Sequence, residues 1–97
     1  DLLDNKEKGT YVCAGCGNPL FKSEHKFNSG TGWPSFDREI EGNVAYSVDY
    51  DIGYKRTEEH CARCGGHLGH VFEDGPRATT GLRHCINGAA LDFIPEE

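Results

Sequence analysis

Cys61-Ala62-Arg63-Cys64-Gly65-Gly66-His67-Leu68 is a near copy of Cys13-Ala14-Gly15-Cys16-Gly17-Asn18-Pro19-Leu20, with cysteine, alanine, cysteine, glycine and leucine recurring in register. A C-x-x-C pair followed directly by glycine suits a metal knuckle, because the tight turn lets both sulfurs and nearby backbone amides face one ion. Four such thiolates, Cys13, Cys16, Cys61 and Cys64, make a closed tetrahedral site for Zn²⁺. Positions 17 to 60 separate the two pairs, a longer interval than in a simple zinc ribbon, so the ion would tie distant parts of the chain together. Two other readings compete. A redox C-x-x-C of thioredoxin type needs a βαβ setting, and Gly17, Pro19, Gly65 and Gly66 oppose a helix after either motif. Disulfides of a secreted domain stay open.

The need for such a staple follows from size. Ninety-seven residues make one domain with a marginal core. An apolar content of 36% is low for a packed interior, and 13 glycines favour turns over long helices. The net charge of −6, with no cluster of Lys and Arg, excludes a nucleic-acid-binding surface. No apolar run approaches the ~18 residues of a membrane span and no signal-peptide pattern is present, so a soluble, cytoplasmic protein is expected. Asp1 in place of methionine leaves an upstream or targeting segment open.

Residues 1–8 read as a polar lead-in, the end of a helix or an unstructured stretch, and residues 9–97 as the domain. Gly9 to Cys13 has strand composition. Asn43 to Tyr50 alternates Val44, Tyr46, Val48 and Tyr50 against smaller or polar residues, the pattern of a half-buried strand. Tyr54 to His60 is a more polar strand delivering the second knuckle. Gly81 begins another strand, and Leu91 and Phe93 share a face of a last one. Nothing of helical period exceeds about two turns, so the fold class is mainly β and antiparallel.

Cys85 is the cysteine left over. On a strand, Gly81-Leu82-Arg83-His84-Cys85-Ile86-Asn87 turns Arg83, Cys85 and Asn87 one way and Leu82, His84 and Ile86 the other. A cation, a thiol and an amide on one face suit a nucleophilic thiol with its thiolate stabilised by Arg83; a small buried hydrophobe is the plainer alternative. Trp33 sits in Ser29-Gly30-Thr31-Gly32-Trp33-Pro34-Ser35-Phe36, a loop that cannot be a helix or central strand, as an anchor or a pocket wall. His67 and His70 stand three apart, so sharing a face requires a bulge, for which Gly69 is the natural site. They lack the third ligand or H-E-x-x-H glutamate of a catalytic zinc site.

S-G-T-G-W-P-S-F, H-L-G-H-V-F-x-D-G-P and G-L-R-H-C-I-N-G-A-A-L-x-F occur in this order around the two knuckles, and on these the chain resembles the methionine-R-sulfoxide reductases of the B type, from about Gly9 to Phe93. The resemblance implies a β-tent of two antiparallel sheets stapled by a structural zinc far from the active site. It implies Cys85 as nucleophile and Trp33 as the wall for the substrate methyl group. His67, His70, Phe72 and Asn87 complete the implied pocket, with Asp74 and Arg83 in support. It further implies oxidised proteins or peptides carrying methionine-R-sulfoxide as substrates, thioredoxin or another thiol as reductant, and a monomer. The chemistry is coherent residue by residue: a sulfoxide sulfur becomes electrophilic when its oxygen is protonated, for which His70 or His67 serves, and attack leaves methionine and a Cys85 sulfenic acid. Two positions depart from the family pattern. Thr31 stands where many members carry a resolving cysteine, and Glu73 where proline is also found. A non-catalytic zinc-stapled domain binding a peptide through the Trp33 loop is the competing reading, with a metal hydrolase using His67 and His70 a distant third.

Overall fold

The computed structural model describes residues 2 to 51 and 53 to 96. Nine strands form two antiparallel sheets: β1 (Gly9–Cys13), β2 (Pro19–Lys22), β3 (Lys26–Phe27), β4 (Ser35–Phe36), β5 (Val44–Asp51), β6 (Tyr54–Cys61), β7 (His67–Phe72), β8 (Arg83–Ile86) and β9 (Leu91–Pro95). The smaller sheet has the order β2-β1-β9, and the larger β3-β4-β8-β7-β6-β5. Helical structure among the described residues is limited to two 3₁₀ turns, Ser23–His25 and Gly88–Ala90. The mainly β, two-sheet expectation holds.

The core lies where the sheets face each other. Phe36 from the larger sheet stacks on Phe21 with ring centroids 4.4 Å apart and meets Tyr11 edge-on at 5.1 Å; all three are fully buried. Buried aromatic pairs of this kind contribute about 0.5–1.5 kcal/mol beyond the area they hide. Leu20, Leu68, Ile86 and Leu91 fill the remaining space. One buried contact is polar. His84 Nδ1 and Glu59 Oε2 lie 2.8 Å apart at 1% and 0% exposure, while Glu59 Oε1 and His84 Nε2 carry no hydrogen-bond partner among the described residues. The pair passes beneath β7 and joins β6 to β8.

Two expectations are corrected. The apolar face of β5 is not half-buried along its length: Val44 is 7% exposed, but Val48 is 51% and Tyr50 75%. The β5–β6 hairpin runs on past β7, whose pairing with β6 ends at Thr57↔Val71, so among the described residues no third strand lies beside the outer half of the hairpin. The lead-in is neither helix nor loose. Leu2 packs on the core, Lys26 Nζ donates to the Leu3 carbonyl at 2.6 Å, and Asn5 Nδ2 donates to the Tyr11 hydroxyl at 3.1 Å. Residues 1 and 97, the outer bounds of the lead-in and domain expected above, lie outside the described residues.

A bulge sets the face of β7. Glu59 pairs with Gly69 but His60 pairs with His67, which leaves Leu68 as the extra residue. The irregularity falls beside Gly69, as the sequence suggests, though the unpaired residue is its neighbour. Gly69 itself is held tightly: a Cβ there would meet the Cys85 carbonyl oxygen at 2.1 Å and the Ile86 Cα at 3.0 Å. Gly69→Ala must therefore push β7 from β8. We expect a loss of about 1–3 kcal/mol, roughly 4–20 °C in Tm for a domain of this size, and a variant melting within a degree of the parent would contradict the packing described.

Candidate metal centre and active site

The two knuckles are built alike. Gly17 N donates to the Cys13 carbonyl at 2.8 Å and Gly65 N to the Cys61 carbonyl at 2.9 Å; Cys13 N donates to the Asn18 carbonyl and Cys61 N to the Gly66 carbonyl, at 2.8 and 2.9 Å. Gly17 and Gly65 close these turns at φ of 80° and 78°, a conformation open to glycine at little cost. Cys13 ends β1 of the small sheet and Cys61 ends β6 of the large one. The four sulfurs lie within 4.8 Å of one another, with Cys13–Cys64 at 3.7 Å and Cys16–Cys61 at 3.5 Å. Tetrahedral Zn–S bonds of about 2.3 Å put the sulfurs about 3.8 Å apart, whereas a disulfide requires about 2.05 Å. The site therefore fits a metal ion and not a pair of disulfides. Burial pushes the Cys61 thiol up, but the backbone amides of Cys64 and Arg63, the Cys16 thiol and the Asn18 amide outweigh it and bring it down to about 6. At Cys16 the Asn18 backbone amide lowers the pKa, and burial with three neighbouring thiols raises it to about 11. Four sulfurs this close cannot all be thiolates without a cation between them.

Cys85 stands apart from this cluster. Its strand presents the alternation expected: His84 and Ile86 are buried, while Arg83 and Cys85 are partly exposed on the other face. In the ladder Cys85 pairs with His70 and Ser35, His70 with Glu58, and Arg83 with Phe72. One face of the sheet thus carries a row from Ser35 through Cys85, His70 and Glu58 to Ser47. The bulge at Leu68 returns His67 to this face, and the rings of His67 and His70 meet edge-on at 5.6 Å.

Arg83 is fixed from two sides. Its Nε donates to Asp74 Oδ1 at 2.8 Å and its terminal nitrogen to Oδ2 at 3.3 Å, while the guanidinium lies 4.4 Å from the centre of the Phe72 ring. The Asp74 hydrogen bond, and more weakly the Cys85 thiol, hold the Arg83 pKa above its ordinary value; in return Asp74 is held below the usual carboxylate range. Asp74 and Arg83 thus form a two-point ion pair. Phe72 lies beneath the guanidinium.

Trp33 lines a different part of the surface. With Pro34, Asn87, Ala89, Phe93 and Leu2 it bounds a groove of about 600 Å³. Asn87 Oδ1 accepts from Ala89 N at 3.0 Å, which leaves its NH₂ as the donor end. Cys85 and Phe72 are not among the walls of that groove, so Asn87, two residues after Cys85 and just past the end of β8 as the cap of the Gly88–Ala90 turn, is the link between Trp33 and the thiol. Ser35, beside Cys85, is fully buried beneath the Trp33 loop, where its hydroxyl donates to Ser29 Oγ at 2.8 Å. Thr31 Oγ1 closes the same loop on Ser29 at 2.8 Å.

Two carboxylates at the site escape sequence reasoning. His67 Nδ1 lies 2.6 Å from Glu58 Oε2, and His70 Nε2 3.2 Å from Asp49 Oδ2. Asp49 is held below the usual carboxylate range by His70 first and then by Arg56, whose Nε lies at 3.2 Å. For Asp49 the signal was present in the polar residues that alternate with the apolar ones of β5; Glu58 lies on the more polar β6. Their partners depend on a strand register that the sequence does not show.

Fold and site together define a class: a small β protein whose two sheets are joined at a four-thiol metal centre, with one further thiol placed among imidazole, guanidinium and amide groups. A SelR domain model matches residues 1–95. Relatives named peptide methionine sulfoxide reductase MsrB include those of Chromohalobacter salexigens (54% identical, covering 100% of this chain and 74% of the relative) and Leptospira interrogans (56%, covering 98% and 72%). The Burkholderia lata relative is 55% identical, covering 96% of this chain and 66% of its own length. A solved structure, the "Yippee-like" domain of Mis18, shares the fold at a TM-score of 0.72 and 14% identity, covering 94% of this chain and 99% of that one. The chain belongs to the SelR domain family, that of the MsrB methionine sulfoxide reductases.

Two outcomes follow. Cys61→Ser should lower Tm sharply and release the metal, whereas Cys85→Ser should keep both, as checked by melting curves and metal content; equal melting temperatures, or metal lost from both, would contradict the division of labour. The lowered pKa values of Asp49 and Asp74 stabilise the fold above their unfolded value of 3.8, and that contribution disappears as pH falls through the folded values. Asp49→Asn and Asp74→Asn should each make acid unfolding less steep below about pH 4, read by circular dichroism.

Proposed function

We propose that this chain reduces methionine-R-sulfoxide, peptidyl or free, to methionine through Cys85. The observation that carries the reading is the ladder position of Cys85: a thiol outside the metal cluster, paired with His70 and on the same face as a guanidinium that Asp74 and Phe72 hold in place. Membership of a family of methionine sulfoxide reductases supports it.

The Cys85 thiolate attacks the sulfoxide sulfur while His70, or His67 beside it, gives a proton to the sulfoxide oxygen. Oxygen passes to the cysteine, methionine leaves, and Cys85 is oxidised by two electrons to the sulfenic acid. Asp49 and Glu58 orient the two imidazoles. Arg83 favours the thiolate, and the Asn87 NH₂ donates towards the substrate oxygen. Trp33, 46% exposed at the groove mouth, receives the methyl group. Zn²⁺ at Cys13, Cys16, Cys61 and Cys64 supplies structure and takes no part in turnover. Residues 9–97 carry this function. The thiols suit a reducing compartment, for which the cytoplasm is our assignment, and no helix among the described residues is long and apolar enough to cross a membrane. The working form is a monomer.

Resetting needs a second thiol, and this chain has none to spare. Thioredoxin or another external thiol attacks the sulfenic sulfur, water leaves, and a second thiol resolves the mixed disulfide. Without reductant, about one equivalent of methionine per chain should form and no intramolecular disulfide should appear. A Cys85 disulfide to a knuckle cysteine, with metal released at each cycle, would refute this and bring the metal centre into the reaction. Trp33→Ala should lower kcat/KM roughly 10- to 100-fold, the value of burying one apolar group, with metal content and Cys85 alkylation unchanged. Unchanged kinetics would make Trp33 a loop anchor only.

A further inference from the structure

The sheet edges of this protein are unequal. β3 is two residues long with Lys26, β2 contains Pro19 and Lys22, and β9 ends at Pro95. These are the usual devices that stop an edge from pairing with another chain. β5 has none of them. It is eight residues long, reads Val-Ala-Tyr-Ser-Val-Asp-Tyr-Asp, contains no proline or lysine, and among the described residues pairs only with β6. Of the six large apolar side chains exposed among the described residues, Tyr46, Val48 and Tyr50 lie on β5 and Tyr54 on β6.

We propose that the β5 edge captures an extended stretch of substrate polypeptide as an added strand, a proposal that rests on the sulfoxide-reductase reading above. Continuity with the site argues for this occupant. Asp49, in the middle of β5, bonds to His70, so the edge and the thiol share one rigid sheet. Main-chain pairing reads no sequence, which suits an enzyme whose target residue occurs in any context, and Val48 and Tyr50 add apolar contact on one side. Pairing with a second copy is opposed by a net charge of −6 on each chain.

The spacing fixes a length requirement. β5 lies three strands from β8, and a captured strand would lie a fourth spacing away, about 19 Å from the Cys85 strand, or about six extended residues. Free sulfoxide and peptides of about four residues cannot reach both places, whereas unstructured peptides of about fifteen can.

The test measures kcat/KM for N-acetylmethionine-R-sulfoxide amide and for short and long peptides, in the parent chain and in Val48→Lys/Tyr50→Lys. We expect the long peptide to be preferred by about tenfold in the parent, and the variant to lose that preference while turning over the free sulfoxide normally. No length dependence in the parent, a preference kept in the variant, or an equal loss on all substrates would overturn the proposal. So would sedimentation showing a dimer that the substitutions dissolve, since a second copy would then hold the edge. Absence of turnover on every substrate in the parent would instead refute the reductase reading itself.

Discussion

The structure depends on four sulfurs held at the vertices of one small tetrahedron. Cys13 and Cys16 come from the end of β1 and its turn, Cys61 and Cys64 from the end of β6 and its turn, so the centre joins the two sheets at the point where each knuckle folds back. The aromatic core of Tyr11, Phe21 and Phe36 closes the space between them, but a domain of this size has little apolar surface to spare. Metal binding to such a centre is folding free energy, and its thiols become thiolates only together with the cation. That commitment divides the cysteines. Four lie close enough to hold one metal ion, and Cys85 stands outside that cluster.

The site inherits its order from the ladder. β7 and β8 place His70 opposite Cys85 and Phe72 opposite Arg83, and the close approach at Gly69 leaves β7 no room to slide. A bulge then brings His67 round to the same face. Behind it, the buried Glu59–His84 contact ties the strands on either side of β7, with each residue adjacent in sequence to a residue of the front face, Glu58 and Cys85. Such a contact is weak support for stability, because taking polar groups out of water costs much of what their meeting returns.

Much of this was legible in the sequence because it rests on local rules. The doubled knuckle, the alternation of Arg83 and Cys85 against His84 and Ile86, and the bulge near Gly69 each follow from spacing and strand geometry, whereas Asn87, expected on the same strand face, lies past the strand end in the next turn. What escaped depends on long-range register. Nothing local says that Asp49 meets His70 or that Glu58 meets His67, since those pairs are 21 and 9 residues apart. The exposure of Val48 and Tyr50 escaped for the same reason: alternation marks an apolar face, but whether anything covers that face depends on where the neighbouring strand ends. Leu2 and Leu3, in a segment that looked empty, were too few to show a period and found their contacts only in three dimensions.

The central claim, that Cys85 is the thiol that takes oxygen from a methionine sulfoxide, is tested most directly by mass spectrometry of the intact chain after incubation with R- and S-sulfoxides separately and without reductant. The account predicts one added oxygen, trapped at Cys85 by a sulfenic-acid reagent, with the R isomer alone and with the metal retained. An unmodified Cys85 under both isomers, or oxidation confined to the four metal-binding cysteines, would contradict it.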